Sequence, residues 1–88
     1  MILILLLLPF ISCKQLIEID PTSFDALDRG LVAFVAPWCP HCVALKPELK
    51  RVAEQLNDID VVTVNCDEYK QFCESKQVFG FPHIVFKR

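Results

Sequence analysis

Apolar and polar positions come in short blocks along this chain, and the spacing changes from block to block. Met1 to Cys13 stands apart, with no charged side chain and seven consecutive apolar residues from Ile2 to Leu8. A helix that spans a bilayer needs about 20 such residues. The stretch is therefore expected to be a secretory signal peptide over 1–13, cleaved after Ser12 or Cys13. It departs from the usual signal in two ways: no Lys or Arg follows Met1, and bulky Phe10 and Ile11 stand near the cut. A first strand or helix of the fold is the competing reading, but nothing polar alternates there to make one face wet. The folded domain is expected over 14–88.

Gln15 to Ile19, apolar at Leu16, Ile17 and Ile19, predicts a short strand that Asp20-Pro21-Thr22 breaks. Thr22 is placed to cap a helix, with Asp25 three residues on as a carboxylate variant of the capping box. Phe24 and Leu27 are spaced to face a core, and Gly30 is expected to end that helix. Leu31 to Ala36 carries no charge and is β-branched or aromatic at Val32, Phe34 and Val35, as a strand buried on both faces should be. Val43, Leu45, Leu49, Val52, Ala53 and Leu56 then recur at helical spacing, with charged residues between them. Pro47 lies inside this helix and is expected to kink it. Asp60 to Asn65 predicts the next strand and Ile84 to Phe86 the start of another.

At 88 residues the chain holds one small domain, which buries a smaller share of its surface than a typical domain does. A formal charge of −2 and the absence of any basic run argue against nucleic acid as a partner. The 53% hydrophobic content is inflated by the N-terminal stretch and does not describe a membrane protein throughout. Once the leader is removed, no stable membrane span is expected. Five cysteines is an odd set, so at least one thiol has a separate fate, and loss of Cys13 with the leader would leave four.

The chemistry concentrates at Ala36-Pro37-Trp38-Cys39-Pro40-His41-Cys42, between the buried strand and the long helix. A C-x-x-C at a strand-to-helix junction places the first cysteine at the helix N-terminus and the second one turn inside. There, unpaired backbone N–H groups and the positive end of the macrodipole favour thiolate over thiol. Pro40 has no N–H to leave unpaired and a φ suited to a first helical turn. His41 adds positive charge when protonated. A stabilised thiolate makes the oxidised pair easy to reduce and hence a good disulfide donor. The alternatives are an inert disulfide or half of a zinc site.

Ala36-Pro37-Trp38-Cys39 with His41-Cys42 resembles the active site of the protein disulfide isomerase branch of the thioredoxin superfamily. That branch usually has glycine where this chain has Pro40, and Pro40-His41 is similar to the dipeptide of the bacterial oxidant DsbA. Val78-Phe79-Gly80-Phe81-Pro82-His83 resembles the family's second signature, and Lys46-Pro47-Glu48 its helix proline. The resemblance runs from about Gln15 to Lys87 and implies a thioredoxin-like α/β fold, a central mixed sheet flanked by helices. It also implies a cis bond before Pro82 in a loop lying against the cysteines. Trp38, Pro40, Phe81 and Pro82 would then shape the substrate groove. His83 replaces the usual threonine, either as a second tuner of the thiolate or as an exposed strand residue.

Cys66 and Cys73 form a C-x6-C that some eukaryotic disulfide isomerase domains carry as a structural disulfide, and the resemblance implies the same bridge here. Two free buried thiols, or a zinc site with Cys39 and Cys42, are the alternatives. The chain also departs from the family. Ala33 stands where a buried Asp or Glu is thought to take the proton of the second cysteine. The family's last strand and C-terminal helix have no counterpart before Arg88, so one sheet edge and one apolar face are expected to be bare unless a partner chain covers them.

The function implied is a thiol–disulfide oxidoreductase, of the disulfide isomerase type, forming or rearranging disulfides in cysteine-containing polypeptides. Cys39 is the exposed nucleophile, Cys42 the resolving thiol and His41 a tuner of Cys39. No metal or organic cofactor is called for, because the electrons reside in the Cys39–Cys42 disulfide. The resemblance implies the secretory pathway, chiefly the endoplasmic reticulum lumen, although no Lys-Asp-Glu-Leu type signal is present. Secretion or a periplasm-like oxidising compartment is the other location. The rival function is a non-catalytic module that binds polypeptides or is completed by a partner.

Overall fold

The computed structural model describes residues 15–88. The expected signal peptide and Cys13 lie outside the described residues. Elements follow in the order β1 (Ile17–Ile19), α1 (Pro21–Ala26), β2 (Gly30–Val35), α2 (Pro40–Gln55), β3 (Asp60–Asn65), α3 (Lys70–Ser75) and β4 (His83–Lys87). The strands form one mixed sheet in the order β1-β3-β2-β4, with β2 parallel to β3 and antiparallel to β4. This is the thioredoxin-like α/β arrangement, and the uncharged β2 is central, as its sequence requires.

Strand alternation divides the interior into two layers. Val32, Phe34, Val62 and Val64 point to one side and pack with Phe24, Cys66, Cys73 and Val78. The rings of Phe24 and Phe72 meet edge to face at 5.3 Å between centroids, a favoured aromatic geometry. Ala33 and Val61 point to the other side, against Leu49 and Ala53 of α2. β4 repeats the alternation: His83 and Val85 lie opposite Phe34 and Val32, whereas Ile84 and Phe86 lie opposite Ala33 and Leu31. Ile84 and Phe86 remain 44% and 45% exposed.

Three local expectations are corrected. α1 is capped by Asp20, not Thr22, because Pro21 takes the first helical position and the Asp20 carboxylate accepts the Ser23 N–H at 2.8 Å. Gly30 does not end that helix; Leu27 caps it, and Gly30 opens β2. Glycine is required there by close approach, since a Cβ would lie 2.8 Å from the Asp60 carbonyl oxygen and 2.9 Å from Leu27 Cδ2. Val43 is not a core residue: it is 62% exposed, while Cys42, Leu49 and Ala53 are the buried positions of α2. Each residue turns the helix by about 100°, so the neighbour of buried Cys42 is carried off the core face. Pro47 sits within α2 without ending it.

α3 ends in a Schellman motif, with Val78 N–H donating to the Cys73 carbonyl and Gln77 N–H to the Glu74 carbonyl. Gln77 holds the left-handed conformation (φ 63°) at the position where glycine is usual. Val78 returns to the core next to Cys73 and starts the loop that reaches the cysteine pair.

Candidate active site

β2 delivers Ala36-Pro37-Trp38 to the start of α2, and Cys39 N–H closes the turn on the Ala36 carbonyl at 3.1 Å. Cys39 is the N-cap of α2 and Pro40 opens its first turn, as the C-x-x-C context predicts. Instead of an oxygen, the cap is the Cys39 sulfur, which accepts the Cys42 N–H at 3.2 Å. From the other side the Cys39 thiol faces the Phe81 carbonyl at 3.8 Å, across the Phe81–Pro82 cis peptide that the resemblance implied. The active-site turn and the Pro82 loop, 42 positions apart, thus meet at this one sulfur.

The two thiols are pushed in opposite directions. A hydrogen bond from the Cys42 thiol holds Cys39 below the ordinary cysteine range, helped by the N–H groups of Cys42 and His41 and opposed by desolvation. Burial pushes Cys42 up, reinforced by its hydrogen bond and proximity to Cys39. The backbone N–H of His41 therefore acts on Cys39, while its side chain is exposed. Both cysteines are free thiols and nearly enclosed, Cys39 being 4% exposed and Cys42 6%. The expectation of an exposed Cys39 sulfur is corrected on this point, because Phe81 and Ala36 pack against the pair.

Trp38 is 64% exposed, and its ring meets the edge of Phe81 at 5.7 Å. Its indole N–H donates to the Asp67 carboxylate at 3.1 Å. Asp67 is a residue the sequence reading missed, and it lies inside the Cys66–Cys73 loop. That loop is bridged (S–S 2.06 Å), which disposes of the free-thiol and zinc alternatives for these two cysteines. Asn65 fixes the loop's entry by accepting the Asp67 and Glu68 N–H groups on its side-chain oxygen. The Asx-type turn legible in Asn65-Cys66-Asp67 was the available signal. Trp38, Asp67, Phe79 and Phe81 line a groove of about 410 Å3 whose wall includes both bridged cysteines.

His83 packs its ring 6.0 Å from that of Phe34, on the side of the sheet away from α2. It is a strand residue whose ring belongs to the Phe34 layer. Ala33 is enclosed beneath α2 and paired with Thr63, so no acid occupies that place.

Site-resolved alkylation of the reduced protein across pH should separate the two thiols. Half-maximal reactivity of Cys39 is expected below the free-cysteine value of about 8.5, and that of Cys42 above it. Two coincident titrations near that value would contradict the geometry described here.

A model of the thioredoxin family matches residues 17–88 of the chain. A putative protein disulfide-isomerase of Dictyostelium discoideum is 44% identical over 63 residues, covering 70% of this chain and 15% of that protein. DnaJ homolog subfamily C member 10 of Xenopus laevis is 38% identical over 78 residues, covering 80% and 10% respectively. The chain thus spans 10–15% of the length of these two curated relatives. Among solved structures, the J-Trx1 fragment of ERdj5 superposes with a TM-score of 0.78 at 27% identity, covering 83% of this chain and 38% of that one. A mutant thioredoxin from Halobacterium salinarum gives the same TM-score and identity, covering 88% and 72%.

Proposed function

The chain belongs to the thioredoxin family, and we propose that it is a thiol–disulfide oxidoreductase that forms or rearranges disulfides in cysteine-containing polypeptides. The observation that carries this reading is the split between the cysteines. Cys39 caps a helix and is stabilised as thiolate, while Cys42, one turn inside, keeps its proton.

In this reading the Cys39 thiolate attacks one sulfur of a substrate disulfide, and the other substrate sulfur leaves with the bonding electrons and takes up a proton. Cys42 then attacks Cys39, the Cys39–Cys42 bond forms, and the substrate departs as a dithiol, two electrons richer. Run backwards, a substrate thiolate attacks the oxidised pair at Cys39 and the substrate becomes oxidised. A low Cys39 pKa makes Cys39 a good leaving group, which favours this second direction. The electrons stay on sulfur throughout, so neither a metal nor an organic cofactor takes part. Trp38, Phe81 and Pro82 form the contact surface, and a substrate strand would replace the Phe81 contact to reach Cys39.

The cellular setting is an oxidising compartment of the secretory pathway, with the endoplasmic reticulum lumen as its chief candidate. Two things support it: the bridged Cys66–Cys73, since such bridges persist in oxidising surroundings, and the relatives named protein disulfide-isomerase. Ile84 and Phe86 offer an apolar strip that a further segment or a partner chain would cover. Nucleic acid has no part in the proposal.

The test is the Cys39→Ser/Cys42→Ser double variant, assayed for reactivation of a scrambled disulfide protein and for binding of an unfolded peptide without cysteines. Reactivation should disappear while peptide binding persists. Peptide binding with no reactivation by the unaltered protein would establish the rival, a non-catalytic polypeptide-binding module.

A further inference from the structure

An opening on the other side of the sheet from the Trp38 groove reaches Cys42. On the α2 side of the sheet lies a cleft of about 310 Å3, with Cys42 in its wall and Glu18, Lys46, Thr63 and Asn65 as its charged and polar lining. Strand register explains how an acid from the edge strand comes to be there. Ala33 pairs with Thr63, and Thr63 with Glu18, so the three form one row across β2, β3 and β1. Residues so paired share a face, and Ala33 packs against Leu49 and Ala53 of α2. The row therefore faces α2. Its two inner members are short and do not ionise, which leaves Glu18 as its acid. Lys46 enters from the opposite wall, four residues beyond Cys42 and so on the same side of the helix.

Cys42 needs a proton acceptor. To resolve a mixed disulfide it must become a thiolate, yet burial, the largest influence on it, keeps its proton in place. At that step Cys39 is already bonded to substrate and cannot serve. Val35 of β2, Ala36 after it and Phe81 of the Pro82 loop pack around the pair, and Thr63 and Asn65 of β3 line the same cleft, none of which titrates. On α2 the charged neighbour is the cation Lys46, and on β1 it is Glu18. Lys46 shares the lining of the cleft with Glu18, whose charge, with that of Asp20, is felt at Tyr69.

We propose that Glu18, acting through water in this cleft, accepts the proton of Cys42, and that Lys46 steadies the thiolate that results. The inference rests on the oxidoreductase reading above. A cleft of this volume with polar walls has room for several waters, and a chain of waters can carry a proton between groups that do not touch. The proton passes from Cys42 Sγ through water to the Glu18 carboxylate. The thiolate then attacks Cys39 Sγ, the Cys39–Cys42 bond forms as the Cys39–substrate bond breaks, and the substrate sulfur leaves with the electron pair. Glu18 returns its proton to solvent.

Stopped-flow reaction of the full reduced chain with a symmetrical aromatic disulfide that releases a coloured thiolate tests this. The first release reports attack by Cys39, and the second reports resolution by Cys42. Glu18→Gln should leave the first phase unchanged and slow the second by roughly 100-fold near neutral pH, the low end for a general base. The deficit should shrink as rising pH ionises Cys42 unaided, and Glu18→Asp should restore part of the rate. A second phase unchanged in Glu18→Gln, or slowed equally at every pH, would overturn the assignment. Absence of the first phase in the unaltered protein would instead overturn the oxidoreductase reading, so the two failures are distinguishable.

Discussion

Cys42→Ser is expected to leave this protein covalently attached to its substrates. The variant loses the Cys42 thiol that does most to lower the Cys39 pKa, but keeps the backbone N–H groups of Cys42 and His41 that support the thiolate. A serine hydroxyl can also donate toward Cys39 in place of the lost thiol. Attack on a substrate disulfide therefore proceeds. Release does not, because a serine hydroxyl is no nucleophile toward a disulfide at neutral pH. Turnover should fall by at least on the order of a thousandfold, as it does when a nucleophile working as part of a unit is removed. Mixed disulfides should accumulate and be visible on non-reducing gels, with mass spectrometry placing the bond at Cys39. Cys39→Ser should lose turnover equally but accumulate no adduct, since desolvation, the largest influence on Cys42, still holds the remaining thiol protonated. Adducts on Cys42 in that variant would reverse the roles assigned to the pair.

What the sequence reveals of the fold depends on how local each feature is. The reactive turn was legible because a capping cysteine followed by proline is set by adjacent residues, and the structure places Cys39 and Pro40 as their order predicts. The start of α1 was misread for a local reason too: Pro21 takes the first helical position, which moves the cap back to Asp20. Gly30 illustrates the other kind of failure. Its lack of a side chain matters because Asp60 and Leu27 come close to it, and that contact exists only in the folded chain. The same holds for Asp67, whose partner Trp38 lies 29 positions away. No periodicity marks such a pair. Gln77 hid the end of α3, because nothing about glutamine announces a left-handed residue. Ala33 marks the missing acid in the sequence itself, whereas Glu18 joins its cross-strand row only through the register of β1 on β3.

The bridge between Cys66 and Cys73 ties stability to the site, and its removal should show in both. Its chain separation of 7 closes a small loop, and the chain-entropy relation assigns such a closure about 2.5 kcal/mol. In a domain of this size that corresponds to a Tm lowered by about 10–20 °C in Cys66→Ala/Cys73→Ala. Both side chains sit in the layer built on Phe24, Phe34 and Val64, so the substitution also removes two sulfurs from the core. The second consequence is specific to this chain. Asp67 follows Cys66 directly and holds the Trp38 indole, whose ring meets Phe81, whose carbonyl faces Cys39. Loosening the loop should therefore change Trp38 fluorescence at temperatures where the variant is still folded. Asp67→Ala separates the two effects, since it should alter the Trp38 signal with the bridge and its stabilisation intact. If the double variant melts with the unaltered protein, the Asn65 turn and the Schellman end of α3 hold the loop without the bridge. If Asp67→Ala leaves the Trp38 signal unchanged, the path from bridge to active site fails at that hydrogen bond.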